Sequence, residues 1–235
     1  MSSTPLLDAA KKTRAKLRAS AESESWFDTE THEIFVYGSI DDAAAKTVLD
    51  ALKQMRGRRV VVRINSPGGG VDAGCVIFNG LRRHQAGCDC IIDSLAASVA
   101  SYIFQAGERR TVHENSKLML HSPWTSLRGN ARDFQKEIDV LTAYEKAMLD
   151  AYASRSKKTP DEILRLLSEE TWYIGQEIVD AGFADEMVGL GRYMKSLSAT
   201  PNRDAALAKL VCMKRSDASK AKIARAKESI AATLV

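Results

Sequence analysis

Apolar residues along the first half of the chain alternate between the spacing of strands and the spacing of helices. A β-rich stretch (32–40) precedes a segment with helical spacing (41–55), and a continuous β-branched run follows at 58–65. Another helical stretch (73–84) and another apolar strand (88–93) come next. An uninterrupted apolar strand is typical of a sheet covered on both faces. The order strand–helix–strand–helix–strand therefore predicts an α/β fold with a largely parallel sheet.

The second half of the chain predicts two more short strands and several helices. The strands are RRTVHE (109–114) and KLMLH (117–121), and a short helix precedes them at 98–106. The longest helix is predicted over 129–156, where apolar residues form a stripe at helical spacing. The members of that stripe are Phe134, Ile138, Leu141, Met148 and Tyr152. The sequence TPDE (159–162) then begins another helix, as a capping box with proline at the first helical position.

Length and charge indicate one domain with a basic tail at each end. A chain of 235 residues with 45% hydrophobic residues can bury one good-sized core. We expect an N-terminal tail over 1–30, the domain over 31–195 and a C-terminal tail over 196–235. Both tails are rich in lysine and arginine, whereas the body is mildly acidic. No aromatic residue stands among the basic residues of the C-terminal tail, so we expect no base-stacking nucleic-acid site there.

The cysteine pattern favours a reducing compartment. Cysteines stand at positions 75, 88, 90 and 212, and neither a second close pair nor a histidine cluster completes a zinc site. We therefore expect buried thiols, no metal and a cytoplasmic location. No apolar run reaches the roughly 18 residues that span a bilayer, and no signal peptide is visible at the start. The first twenty residues fit either an organelle transit peptide or a solvated basic tail, and the tail is the simpler interpretation.

Four stretches contain residues that could carry chemistry. SLAASVAS puts Ser98 between a strand and a helix, where backbone N–H groups and the helix start stabilise negative charge. INSPGGG (64–70) is predicted to leave a buried strand as a loop whose glycines free backbone N–H groups for an oxyanion or a peptide. LMLHSP ends a strand with His121. SEETWYIGQEIVDAGFAD (168–185) supplies acids before and after a short helix, and a carboxylate can orient a histidine.

Each of these stretches taken alone also has an ordinary structural explanation. Small residues at a helix start pack closely against a neighbouring strand, and a glycine-rich loop makes a tight turn. A lone histidine is often structural, and acids at a helix start stabilise the helix. Only the combination and its order along the chain favour a catalytic interpretation.

That combination resembles the Clp protease proteolytic subunit (ClpP) family of serine peptidases. The matching pieces are IFVYGSIDD, INSPGGGVDAG, SLAASVAS, RRTVHENSKLMLHSP and EIVDAGFADEM, which together span about residues 33–188. The resemblance implies a ClpP/crotonase-type α/β fold of stacked strand–helix units. It also implies that the 129–156 helix projects as a handle for oligomer contacts, and that peptide bonds are hydrolysed without metal or cofactor.

The resemblance assigns a catalytic triad residue by residue. Ser98 is the expected nucleophile and His121 the expected general base. The third member departs from the family, which usually has aspartate before an aromatic residue, in a pattern like Arg-Asp-x-Phe. Aligning back from AGFAD puts Glu170 at that position, with Glu169 as the second choice. Ser122 stands where the family usually has glutamine, and the Arg-Asp pair implicated in sensing ring assembly is absent.

The resemblance also assigns the groups around the scissile carbonyl. The oxyanion hole is expected from the backbone N–H of Val99 and from the glycine loop, with Gly69 first and Gly68 beside it. Gly70 and Val71 are expected to begin a strand that binds the substrate by backbone pairing.

Two further features, ETW near the acid and basic tails at both ends, make the sequence similar to ClpP-like head-maturation proteases of tailed phages and prophages. We therefore expect an ATP-independent serine endopeptidase that forms a homo-oligomeric ring and processes phage scaffold or capsid precursors. One alternative is a housekeeping-type ClpP subunit fed by a Clp ATPase. Others are a crotonase-like acyl-CoA enzyme, which would explain neither Ser98 nor His121, and a non-catalytic assembly scaffold.

Overall fold

The computed structural model describes residues 24–189; residues 1–23 of the predicted N-terminal tail and the whole predicted C-terminal tail, with Cys212, lie outside that range. Within it the chain forms eight strands and six helices. The strands are β1 (Trp26–Asp28), β2 (Glu33–Ile40), β3 (Val60–Gly69), β4 (Cys88–Ala97), β5 (Arg109–His113), β6 (Lys117–Leu120), β7 (Thr171–Ile174) and β8 (Glu186–Val188). The helices are α1 (Asp42–Gln54), α2 (Val71–Arg82), α3 (Val99–Phe104), α4 (Ala131–Arg155), α5 (Pro160–Ser168) and α6 (Gln176–Asp180).

The strands form one sheet in the order β1-β2-β3-β4-β5-β8, with β6 and β7 off this path. Strands β2, β3, β4, β5 and β8 are parallel, as the alternation of strands and helices predicts. The sheet forks at β4, because 89–92 pairs with β5 whereas Leu95–Ala97 pairs with β6. Strand β7 then adds to β6 in the antiparallel direction. The fork gives the carboxyl end of β4 a separate neighbour, β6, whose end leads directly to His121.

One face of the sheet carries the core. The side chains of Val60, Val62 and Ile64 in β3 are fully buried and share a core with residues of α1, α2 and α3. The residues between them, such as Arg63, are only half-buried. On that second face the Arg63 guanidinium makes a bidentate ion pair with Asp93 at 2.9 and 2.5 Å. The expectation that the β-branched run is covered on both faces is therefore wrong within the described residues, because its alternate positions support polar contacts.

The glycine-rich segment and the first strand also differ from expectation. SPGG was predicted as a loop, but β3 continues to Gly69 because Ser66 pairs with Ala96 in β4. The sheet begins at Trp26, inside the segment predicted as N-terminal tail. There the Trp26 ring stacks on Phe35, with ring centroids 4.4 Å apart. A strand of three residues depends on such contacts with its neighbour, which the local sequence alone does not reveal.

Helix α4 is buried along only its second half. Of the predicted apolar stripe, Met148 and Tyr152 are buried, whereas Phe134 and Ile138 are 48% and 55% exposed. The first half of the helix therefore projects from the core, as the resemblance implies for a handle. The capping box at the start of α5 is confirmed, since Thr159 and Glu162 bond reciprocally ahead of Pro160.

Candidate active site

Ser98 occupies the junction between β4 and α3. Its backbone has φ 58° and ψ −131°, a conformation that costs a non-glycine residue about 1–3 kcal/mol. Two contacts hold it there: the Ser98 N–H donates to Met119 O at 3.0 Å, and the Ser98 carbonyl accepts from the N–H of Ser101 at 2.9 Å. The sharp turn places the hydroxyl at the carboxyl end of β4, and the residue is half-buried.

The structure brings His121 to Ser98. Nε2 of His121 and Oγ of Ser98 are 2.7 Å apart. The pairing of β4 with β6 explains the distance. Ala97 pairs with Met119; Ser98 directly follows Ala97, and His121 follows Met119 by two residues. With the proton of the imidazole on Nδ1, Nε2 is the acceptor and the serine hydroxyl donates. A serine so bonded to a neutral imidazole is arranged for proton transfer to the base.

Glu170 lies at the same end of the sheet, between α5 and β7. The last pair of the β6–β7 ladder is Leu120 with Thr171, so continuing the register by one step sets Glu170 opposite His121. Glu170 is half-buried and has a positive φ of 51°, whereas Glu169 is exposed and caps α5. This geometry favours Glu170 over Glu169 as the acid.

The acid that follows the short helix α6 is placed elsewhere. Asp185 makes an ion pair with Arg110, with the closest N–O distance at 2.6 Å. Burial opposes ionisation of Asp185, but the hydrogen bonds from Arg110 outweigh it and lower the pKa of the carboxyl. The same guanidinium donates to Gln105 Oε1 at 2.6 Å, so this pair secures the end of α3.

Gly68 packs directly against the candidate nucleophile. A Cβ added at Gly68 would lie 2.6 Å from Cβ and 3.1 Å from Oγ of Ser98, and the residue has a positive φ of 96°. The N–H of Gly68 donates to Ser66 Oγ at 3.0 Å. Because that N–H is already engaged, Gly69 is the better candidate of the two glycines for an oxyanion donor.

The residues after the glycines do not begin a strand, contrary to expectation. Gly70 is the N-cap of α2, and its N–H donates to Ile40 O at 2.8 Å. Val71 is the first residue of that helix. The early helix start follows from the pairing of Gly69 with Ile40, which ends the strand one residue before Gly70. Gly69 and Gly70 are nevertheless exposed, directly after the Gly68 that packs against Ser98.

Val99 stands at the first position of α3. The N–H groups of a helix's first turn have no acceptor within the helix, so the Val99 N–H can point towards an oxyanion. Its side chain is buried against α2, where a Cβ at Gly74 would lie 2.1 Å from Val99 Cγ2. This close contact packs the start of α3 against α2.

A buried hydroxyl chain supports Ser98 from behind, and sequence reasoning missed it. Ser101 Oγ donates to the Ser98 carbonyl at 2.6 Å and lies 2.8 Å from the hydroxyl of Tyr152. Since the single proton of Ser101 is used, Tyr152 is the donor in that second bond. Burial raises the pKa of Tyr152, which keeps its hydroxyl protonated. The apolar stripe had placed Tyr152 on the helix, but nothing in the sequence linked it to Ser98.

Other groups add little to the site. Within residues 24–189 no three His, Cys, Asp or Glu side chains are grouped to hold a metal ion. Cys88 and Cys90 are buried and Cys75 is half-buried, all three as free thiols. None of the helices in the described range is long and apolar enough to cross a membrane.

Comparison with known proteins decides the family. The family model described as Clp protease matches residues 19–190, most of the chain. The chain belongs to the Clp protease family. It is 24% identical over 167 residues to the ATP-dependent Clp protease proteolytic subunit 1 of Protochlamydia amoebophila (strain UWE25), covering 68% of this chain and 81% of that protein.

A second relative agrees with the first. The ATP-dependent Clp protease proteolytic subunit 1 of Leifsonia xyli subsp. xyli (strain CTCB07) is 26% identical over 149 residues, covering 63% of this chain and 75% of that protein. The resemblance to ClpP serine peptidases and the α/β fold that it implies are therefore confirmed. This Clp-family chain is a serine peptidase by family, whereas a phage-like character finds no support in either relative.

Proposed function

We propose that this Clp-family peptidase is a serine endopeptidase with Ser98 as nucleophile, His121 as general base and Glu170 as the orienting acid. The observation that carries the proposal is the 2.7 Å hydrogen bond between Ser98 Oγ and His121 Nε2 at a strained strand–helix turn. The hydroxyl attacks the scissile carbonyl while its proton passes to Nε2. His121 then gives that proton to the leaving amine, and water completes the cycle by the same route.

The backbone around Ser98 supplies the proposed oxyanion hole. The N–H groups of Val99 and Gly69 donate to the oxygen that becomes negative in the tetrahedral intermediate, and Gly68 contributes the space beside them. Each preorganised donor of this kind is worth roughly a hundredfold or more in rate. The substrate backbone passes the exposed Gly69, because both backbone polar groups of Gly70 are already used: its N–H donates to Ile40 O at 2.8 Å and its carbonyl accepts from the N–H of Gly74 at 3.0 Å.

Glu170 fixes the imidazole in the tautomer that leaves Nε2 free to accept. Its carboxylate stabilises the imidazolium that forms during attack. Glutamate has one methylene more than aspartate, and the positive φ of 51° at Glu170 turns the chain at the end of α5.

Peptide hydrolysis by purified protein tests the triad. We expect Ser98→Ala and His121→Ala each to lower kcat for an internally quenched peptide by at least about a thousandfold, and Glu170→Gln to lower it substantially. Glu169→Gln is the matched control and should stay within about twofold of wild type, because Glu169 is exposed. Equal activity of wild type and Ser98→Ala would overturn the proposal.

We further propose that the peptidase works without an ATPase, as a homo-oligomeric ring that processes phage scaffold or capsid precursors. The basic tails and the missing Arg-Asp pair support this setting. The second candidate is a proteolytic subunit fed by a Clp ATPase, which the names of both relatives favour.

One pair of assays separates the two settings. Degradation of an unfolded protein that requires both a Clp ATPase and ATP would favour the second candidate. Specific cleavage of a co-expressed capsid or scaffold precursor, lost in Ser98→Ala and independent of ATP, is the result expected of the first. Normal head assembly with the Ser98→Ala protein would instead favour a non-catalytic scaffold.

A further inference from the structure

Two hydrogen bonds hold Ser122, the residue directly after the candidate base. Strand β6 ends at Leu120, so the β-ladder does not extend to His121. Ser122, by contrast, uses both of its donors: its N–H donates to Leu167 O at 2.9 Å, and its Oγ donates to Glu145 Oε1 at 2.5 Å. These two bonds fix the backbone immediately after His121, and so bear on where its imidazole lies.

Glu145 comes from the middle of α4, the helix whose first half projects from the core. It is half-buried, and its neighbour Tyr144 donates to both carboxylate oxygens of Asp72 at 3.1 Å. Asp72 lies in the first turn of α2, two residues after Gly70. Adjacent residues of α4 thus hold the segment after the base and the segment after the glycines.

The bond between Ser122 and Glu145 belongs to the stronger class of hydrogen bonds. A hydroxyl donating to a carboxylate is charge-assisted, and such bonds are shorter and about twice as strong as neutral ones. A displacement of a catalytic group by about 1 Å can cost a hundredfold in rate. A single acceptor on α4 can therefore control the alignment of His121 with Ser98.

We propose that Glu145 is a positioning residue for the catalytic histidine, acting through Ser122; this inference rests on the proposed function. Glu145 touches neither the substrate nor the reacting atoms. Its carboxylate holds the Ser122 hydroxyl, which fixes the backbone on the C-terminal side of His121 and keeps Nε2 at hydrogen-bonding distance from Ser98. The Ser122–Glu145 pair stands where the family usually has glutamine after the histidine.

The test compares four variants with wild type: Glu145→Ala, Glu145→Gln, Ser122→Ala and the Ser122→Ala/Glu145→Ala double variant. The control is Glu137→Ala, which removes a half-buried glutamate two turns earlier in α4. Two quantities are measured: kcat and KM for a quenched peptide, and the second-order rate at which a fluorophosphonate probe labels Ser98. Size-exclusion chromatography and circular dichroism restrict the comparison to folded protein of equal oligomeric state.

We expect Glu145→Ala and Ser122→Ala each to lower kcat and the labelling rate about 10-fold, with KM within about twofold of wild type. The double variant should be no slower than either single variant, because one bond is lost in all three. Glu145→Gln keeps an acceptor oxygen and should recover most of the rate. Ser122→Ala tests the same bond if Glu145→Ala does not fold.

Three outcomes overturn the inference. Rates for Glu145→Ala and Ser122→Ala that match Glu137→Ala would show that the bond does not align the base. Additive losses in the double variant would show that the two residues act independently. Wild-type protein that is never labelled at Ser98 would refute the proposed function and the inference with it. If wild type is labelled and Glu145→Ala is labelled at the same rate, the inference alone is refuted.

Discussion

Ser98 has φ 58° and ψ −131°, a backbone conformation that glycine adopts freely and serine adopts only under strain. Replacing Ser98 with glycine should therefore stabilise the fold while it removes the hydroxyl needed for chemistry. Ser98→Ala is the matched comparison, because alanine loses the same hydroxyl and keeps the strain. The two variants are equally inactive in this account and differ in stability.

The size of the difference follows from two opposing terms. Relief of the strained backbone favours the glycine variant by about 1–3 kcal/mol. The greater freedom of glycine in the unfolded chain costs about 0.5–1 kcal/mol. Ser98→Gly should therefore exceed Ser98→Ala by about 1 kcal/mol in free energy of unfolding. For a domain of this size that difference raises Tm by about 2–4 °C.

Thermal and urea unfolding of the two variants measure the difference directly. Both proteins must have the same oligomeric state, because assembly itself raises the apparent stability. A glycine variant that is equal to or less stable than Ser98→Ala would refute the claim that the turn at Ser98 is strained. It would leave the hydrogen bond to His121 untouched, since that bond is tested by labelling.

Three further predictions concern the surroundings of the nucleophile and the stability of the sheet. Gly68→Ala places a Cβ 2.6 Å from the Cβ of the nucleophile and should abolish peptidase activity in protein that still assembles; retained activity would contradict the packing. Tyr152→Phe deletes only the donor to Ser101, and should lower kcat about 10-fold with KM nearly unchanged; no change would mean that the hydroxyl chain does not position the turn. Hydrogen bonds from Arg59 lower the pKa of Asp89, so the folded state loses stability as pH falls below about 4, where the unfolded carboxyl takes up a proton. The free energy of unfolding of Asp89→Asn, measured in urea, should therefore change less between pH 5 and 3 than that of wild type. A pH profile identical to wild type would contradict the ion pair.

The regular part of the fold follows from local patterns in the sequence. The period of apolar residues indicates α1 and α2, because each buries one face. Short runs of β-branched residues, Val60–Val62 and Ile91–Ile92, indicate β3 and β4. The start of α5 is specified within four consecutive residues, by Thr159, Pro160 and Glu162, so the capping box was predictable. Features of this kind depend on residues close together in the sequence, so they can be predicted without the tertiary contacts.

What the sequence left open depends on tertiary contacts. Strand β7 consists of residues that favour strands, Thr-Trp-Tyr-Ile, but it has only four of them, and within the described residues its pairing with β6 is what defines it as a strand. The glycines of β3 resemble a turn locally, yet Gly69 pairs with Ile40 in β2. The same holds at the site, where Ser122 and Glu145 are 23 residues apart and meet only because α4 packs over the loop after β6.

Ser98, His121 and Glu170 were predicted as catalytic residues from the family resemblance, and not from the chemistry of each residue taken alone. Each has an ordinary structural explanation when taken alone. The structure adds a reason for Ser98 that no sequence pattern contained, since its positive φ is retained at an energetic cost in a place where a hydroxyl faces an imidazole. Strained backbone of this kind concentrates at functional sites, which is an independent argument for its role.

Labelling with a fluorophosphonate probe tests the central claim most directly, because the probe reacts only with an activated serine. Peptide mass spectrometry of the assembled wild-type protein should find one adduct, on Ser98, and none in Ser98→Ala or His121→Ala. An unlabelled wild type, or an adduct that persists in Ser98→Ala, would contradict the account.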